Sequence, residues 1–156
     1  MRQLTAQFPI APWRVVYTAS GNTLAAAIIN DHLGIVEYKL YWAAVKSKEE
    51  AQYLTAILNT PILDRLVKPY QSTGAFGPRD FDKYLWAVRI PRFQPDSPKH
   101  RRLVDLVVEA EDVAQQVPLG EVRSFQIARG NIRKVLMAAG ISSALDTAVN
   151  ALLESS

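Results

Sequence analysis

The residue types best suited to recognition fall in one polar loop, Tyr70-Gln71-Ser72-Thr73-Gly74-Ala75-Phe76-Gly77-Pro78-Arg79-Asp80. Gln71, Ser72, Thr73 and Arg79 carry groups that reach base edges and phosphates: an amide pairs bidentately with adenine, a guanidinium with guanine. Tyr70 and Phe76 add flat surfaces for stacking or wedging. The competing reading is an irregular surface loop with its aromatics tucked into the core. Cations surround the loop. Between Arg65 and Arg102 nine Lys or Arg stand against three Asp, a local excess of six in a chain whose net charge is only +3. Such a stretch suits a polyanion, although a solvated basic surface has the same composition. Lys68, Lys83, Arg89, Arg92, Lys99, Arg101 and Arg102 are the candidates for positioning phosphates. Arg123, Arg129, Arg133 and Lys134 form a second basic group. Arg129 and Arg133 share a helical face, which suits either a phosphate clamp or pairing with Glu109, Asp112 or Glu121.

Catalytic constellations are scarce. The chain has no Gly-x-Ser-x-Gly elbow, no P-loop and no Gly-x-Gly-x-x-Gly. Gly74 to Gly77 resembles a phosphate cradle only superficially, since Pro78 follows it and the lysine is missing. Asp80 and Asp82 could hold Mg²⁺ with a third acid, as in a nuclease, but Arg79 and Lys83 beside them favour surface ion pairing. His100 sits between Lys99 and Arg101-Arg102, where phosphate contact or solvation is expected and neighbouring cations lower its pKa. His32 reads as a turn residue. With two histidines and no cysteine, neither a disulfide framework nor a structural zinc site is expected. No metal or other cofactor is expected in this chain.

The elements that must position these groups can be read from local patterning. At 156 residues, 49% hydrophobic and 21% charged, the chain fits a globular domain with a real core. Its opening residues do not read as a signal peptide and no apolar run approaches the roughly 20 residues of a membrane span, so a cytoplasmic protein is expected. Trp13 to Thr18, Leu24 to Ile29 and Gly34 to Val45 read as strands of an antiparallel meander. Ser47-Lys48-Glu49-Glu50 is a capping box. The helix it opens carries Ala51, Leu54, Ile57 and Leu58 on one stripe. Asn59-Thr60-Pro61 re-caps into a second helix, with Pro61 in its first turn. Trp86 to Ile90 is expected as a strand returning to the sheet. Arg92 to Pro98 is the best internal boundary, separating an α+β domain (1–95) from a helical subdomain (96–156). The latter should hold a helix from Lys99 to Val117 and another from Val122 to Ala139, interrupted near Gly130. A last helix should be capped by Ser142 or Ser143. The fold class expected is α+β: a small, mostly antiparallel, curved sheet with packed helices.

The ordered set of motifs carries a further resemblance. Lys39-Leu40-Tyr41-Trp42-Ala43-Ala44-Val45 is followed by Glu49-Glu50-Ala51-Gln52-Tyr53-Leu54-Thr55-Ala56-Ile57-Leu58-Asn59-Thr60-Pro61, then by the Tyr70–Asp80 loop, Ile90-Pro91-Arg92-Phe93, and Asp96 to His100. Together these resemble the C-terminal target-recognition region of bacterial and archaeal N6-adenine DNA methyltransferases, including the large fused restriction–modification enzymes. The resemblance runs from about Val15 to Gln116, about two-thirds of the chain.

It implies a module that selects a sequence in double-stranded DNA while a methyltransferase catalytic domain or subunit does the chemistry. The Asn-Pro-Pro-Tyr motif that would hold a flipped adenine, and the glycine-rich S-adenosylmethionine site, are both missing here. The chain alone is therefore not expected to be catalytic, and S-adenosylmethionine is expected only in the partner. The alternatives are a protein-interaction module of the same system, docking through the helical tail, and the Asp80/Asp82 nuclease.

Overall fold

The computed structural model describes residues 5, 7–71, 73–74, 77–78, 81, 85, 88–118, 120 and 124–154. Three strands, β1 (Trp13–Thr18), β2 (Ala26–Ile29) and β3 (Leu40–Val45), form an antiparallel sheet in the order β2-β1-β3. The fold is α+β, as the patterning implies. The sheet is not a meander, because β3 crosses over to the far side of β1. The run Trp13-Arg14-Val15-Val16-Tyr17 accounts for this: its central residues are buried on both faces, which only the middle strand of three achieves. The third strand is also shorter than expected. Thr18, the last residue of β1, pairs with Leu40, so residues 34–39 have no strand to pair with. They are pinned instead by Gln7, whose amide donates to the Val36 carbonyl (2.9 Å) and accepts from the Val36 N–H (2.8 Å).

Helix α1 (Lys48–Leu58) starts at the expected cap, with Ser47 Oγ accepting from the Glu50 N–H at 3.1 Å. The reciprocal bond falls one residue earlier than a capping box places it: Glu50 accepts from the Lys46 N–H at 2.6 Å. Every residue from Ala51 to Leu58 is buried. The helix is thus enclosed on all sides rather than along one stripe, lying between the sheet and helix α3 (Pro98–Gln115). Side chains such as Ile57 and Leu58 contribute about 1.5–3 kcal/mol each on full burial.

Helix α2 (Pro61–Val67) begins with Pro61 in its first turn and runs into a 3₁₀ turn, Lys68–Tyr70. The polar ends of α1 and α2 reach back to the sheet. Asn59 Oδ1 accepts from the Ala26 N–H (2.9 Å) and its Nδ2 donates to the Ala26 carbonyl (3.0 Å), while Asp64 Oδ1 accepts from the Leu24 N–H (2.8 Å). Inside the polar loop, β4 (Thr73–Gly74) and β5 (Gly77–Pro78) form a two-residue antiparallel ladder, order that aperiodic composition does not announce. Phe81 returns the chain to the sheet through its N–H on the Ala19 carbonyl at 2.8 Å. Of the strand expected at Trp86 to Ile90, residues 86 and 87 lie outside the described set, and Val88 to Ile90 are not in a strand.

The C-terminal part comprises α3, α4 (Phe125–Ala138) and α5 (Ile141–Leu153). Helix α4 passes through Gly130 without a break. Gly140 adopts φ 76°, a left-handed conformation that glycine takes at little cost, and α5 starts directly after it at 79° to α4. Ser142 and Ser143 therefore lie inside α5 rather than capping it. One cluster of buried side chains takes Val15 and Tyr17 from the sheet, α1, Leu63 and Val67 from α2, Phe81, Leu85, Leu103, Val107, Val149 and Leu152. It is continuous across position 95/96. Among the described residues no single helix is long and apolar enough to cross a membrane.

Truncating Asn59 to Ala removes two bonds from the edge of β2. The expected loss is about 1–2 kcal/mol, read as a lower urea midpoint with an unchanged m-value. An unchanged midpoint would show that this clamp contributes nothing.

Candidate nucleic-acid interface

The functional candidates are arranged around Tyr53, a buried α1 residue whose hydroxyl needs a partner. It donates to the Pro91 carbonyl at 2.9 Å, and burial pushes the phenol pKa well above its ordinary value. The ring packs against His100 (centroids 4.7 Å apart) and Phe93 (5.4 Å), which themselves lie 6.1 Å apart. His100 does not face solvent, as its basic neighbours in sequence suggest. It is 5% exposed, and its Nδ1 accepts from the Gln94 N–H at 2.9 Å. That bond requires an unprotonated Nδ1, and burial, rather than neighbouring cations, lowers the pKa of the ring.

These contacts fasten the irregular segment 88–94 onto α1 and the first turn of α3. Ile90 and Phe93 pack toward the core, leaving Arg89 and Arg92 exposed. The two arginines line a cleft of about 290 Å³ with Val45, Glu50, Tyr53, Leu54 and Phe93. On the other side of the His100–Gln94 bond, Lys99, Arg101 and Arg102 are exposed at the start of α3. No acid occupies that first turn, and Ser97 makes no side-chain capping bond. Cations at a helix N-terminus oppose the helix dipole. Three of them there, next to N–H groups without intrahelical partners, make a strongly positive surface.

The structure thus brings Arg89, Arg92, Lys99, Arg101 and Arg102 onto two adjoining stretches held together by one histidine. Lys99 also donates to the Ala151 carbonyl of α5 at 3.5 Å. Lys68 is exposed on the 3₁₀ turn. Gln71 turns inward: it is 8% exposed and its amide donates to the Gly21 carbonyl at 2.8 Å, holding the loop against the β1–β2 turn. Thr73 enters β4. Ser72, Arg79 and Lys83 lie outside the described residues, as do Asp80, Asp82, Phe76, Glu121 and Arg123. In the second basic group Arg129 is half-buried, and burial and the nearby charge of Arg133 lower its pKa. Among the described residues no three His, Asp or Glu form a metal-binding group.

Sequence reasoning overlooked Arg14. It is 0% exposed; Nη2 donates to the Asp31 carbonyl at 2.7 Å, while Nε and Nη1 have no partner among the described residues. An arginine inside an otherwise apolar strand was the available signal.

No protein-family model, curated protein or solved structure matches the chain.

His100 sets a pH dependence. Its folded pKa lies below the ordinary 6.5, so the unfolded chain takes up the proton first as pH falls. Stability from this residue is present above pH 6.5, declines below it, and levels off once pH passes the folded value. Chemical denaturation across this range should show that decline in the wild type and a flatter profile in His100→Asn. Stability that rises on acidification below pH 6.5 would contradict the buried, neutral ring.

Proposed function

We propose that the chain is the DNA-recognition module of a restriction–modification-type N6-adenine methyltransferase and acts with a catalytic domain or subunit that binds S-adenosylmethionine. The observation that carries this reading is the set of exposed cations Arg89, Arg92, Lys99, Arg101 and Arg102 on two adjoining stretches, with no acid in the first turn of α3. Its supports are residues of the motif set that resembles such enzymes: Tyr53, Pro91, Phe93 and His100. Rigid side-chain packing behind exposed cations is what phosphate positioning demands, because phosphate contacts fix register and orientation before any base is read. The Gln71 anchor at Gly21 gives the adjoining loop a fixed starting point, and base reading is assigned to that loop.

A protein-interaction role for the helical tail has an observation in its favour. Helix α4 has no buried residue, and Phe125 and Met137 are 66% and 69% exposed. At about 100° per residue, however, Phe125, Ile127 and Met137 point in three directions, so they do not form one docking stripe.

Binding of a labelled duplex pool tests the DNA reading. With five exposed cations engaged, the logarithm of affinity should fall against that of salt with a slope of roughly −4 to −5. Arg92→Ala and Arg101→Ala should each reduce the slope by about 1. Affinity that stays flat between low and physiological salt would sink the proposal.

A further inference from the structure

The two edges of the sheet are treated differently. Thr18 N–H bonds to the Ala25 carbonyl and Ala19 N–H to the Lys39 carbonyl, so even-numbered residues of β1 bond toward β2 and odd-numbered ones toward β3. With the observed registers, the backbone groups of Ala26 and Ile28 point out from β2, and those of Trp42 and Ala44 point out from β3. The β2 edge is closed at Ala26, where the Asn59 amide takes both the N–H and the carbonyl. Among the described residues nothing bonds to the backbone of Trp42 or Ala44, and no strand lies beyond β3. Neither proline nor charge, the usual blocks to edge pairing, occurs between Leu40 and Val45.

We propose that β3 pairs with β3 of a second copy of this chain, antiparallel about a two-fold axis, to make a continuous six-stranded sheet. The occupant follows from self-complementarity. Pairing Trp42 of one copy with Ala44 of the other satisfies both outward residues twice over, with four backbone hydrogen bonds. The same register sets a large side chain beside a small one on the outer face, where Trp42 is half-buried and Ala44 exposed. It places Ala43 opposite itself on the axis, and no charge opposes a like charge along the strand. An isologous contact of this kind closes at two copies and cannot propagate. The association uses the sheet edge and is independent of the DNA reading.

Sedimentation equilibrium of the full chain, from about 1 µM to about 1 mM, spans the range of weak association. A concentration-dependent dimer is expected, and Trp42→Lys should weaken it at least tenfold while leaving the circular dichroism spectrum intact. A chain that is monomeric throughout, or a dimer indifferent to Trp42→Lys, overturns the proposal. The register has its own test, since the chain has no cysteine. Ala43→Cys should oxidise to an interchain disulfide, because residues facing each other across such an axis lie within the roughly 4.4–6.8 Å Cα separation a disulfide needs. Ala27→Cys, exposed on β2, should remain largely monomeric under the same oxidation. Equal yields from the two variants would rule out this register.

Discussion

Helix α1 is buried from Ala51 to Leu58 without an exposed position, and this enclosure governs the rest of the fold. A polar side chain in this enclosed part of the helix costs about 1–3 kcal/mol if it is left unpaired. Of the buried polar side chains of α1, Gln52 and Tyr53 each recruit a distinct part of the chain, while Thr55 Oγ1 has no partner among the described residues. Tyr53 recruits the Pro91 carbonyl, Gln52 recruits Glu111 of α3 at 3.1 Å, and Asn59, just past the last turn, recruits the edge of β2. Three layers are registered on one helix by three hydrogen-bonded side chains.

The same logic explains why the candidate interface is rigid behind and charged in front. Segment 88–94 has no regular secondary structure to hold it. Its shape comes from the Tyr53 hydroxyl and the His100 acceptor, both seated on packed helices, and from its own Phe93 ring, which packs against them. Arg89 and Arg92 then project from an anchored backbone, which on the proposed reading would reduce the ordering entropy lost on binding. His100 contributes by being neutral. A charged imidazole there would lose the Gln94 bond and carry an unpaired charge into an aromatic cluster.

What the sequence discloses and what it hides divide along local and non-local lines. The Ser47 cap, the Pro61 restart, the glycine turn at Gly140 and the α+β class all follow from residue type within a few positions. Strand order does not: nothing near Leu40 says that β3 will lie against β1 rather than β2, because that choice is made by the two-sided burial of Val15 and Val16. Gly34 to Lys39 has strand composition but no strand opposite. In the site, charge was visible and orientation was not. Arg89, Arg92, Lys99, Arg101 and Arg102 are exposed as their types suggest, whereas His100 and Gln71 were hidden by their context. A histidine flanked by lysine and arginines reads as wet, yet its own position on α3 faces Tyr53.

Helix α3 carries its charges in the reverse of the stabilising order. Lys99, Arg101 and Arg102 occupy its start, and its acids, Asp105, Glu109, Glu111 and Asp112, come only later, with no basic residue in the last turn. Each charge in the wrong terminal turn costs about 0.3–1 kcal/mol at low ionic strength. On the proposed DNA reading, this charge order is a place where stability yields to function. A polyanion bound at this end, as proposed, would remove the conflict. Phosphate oxygens would meet the open N–H groups of the first turn close to its cations, turning an unfavourable arrangement in the free chain into a favourable one in the complex.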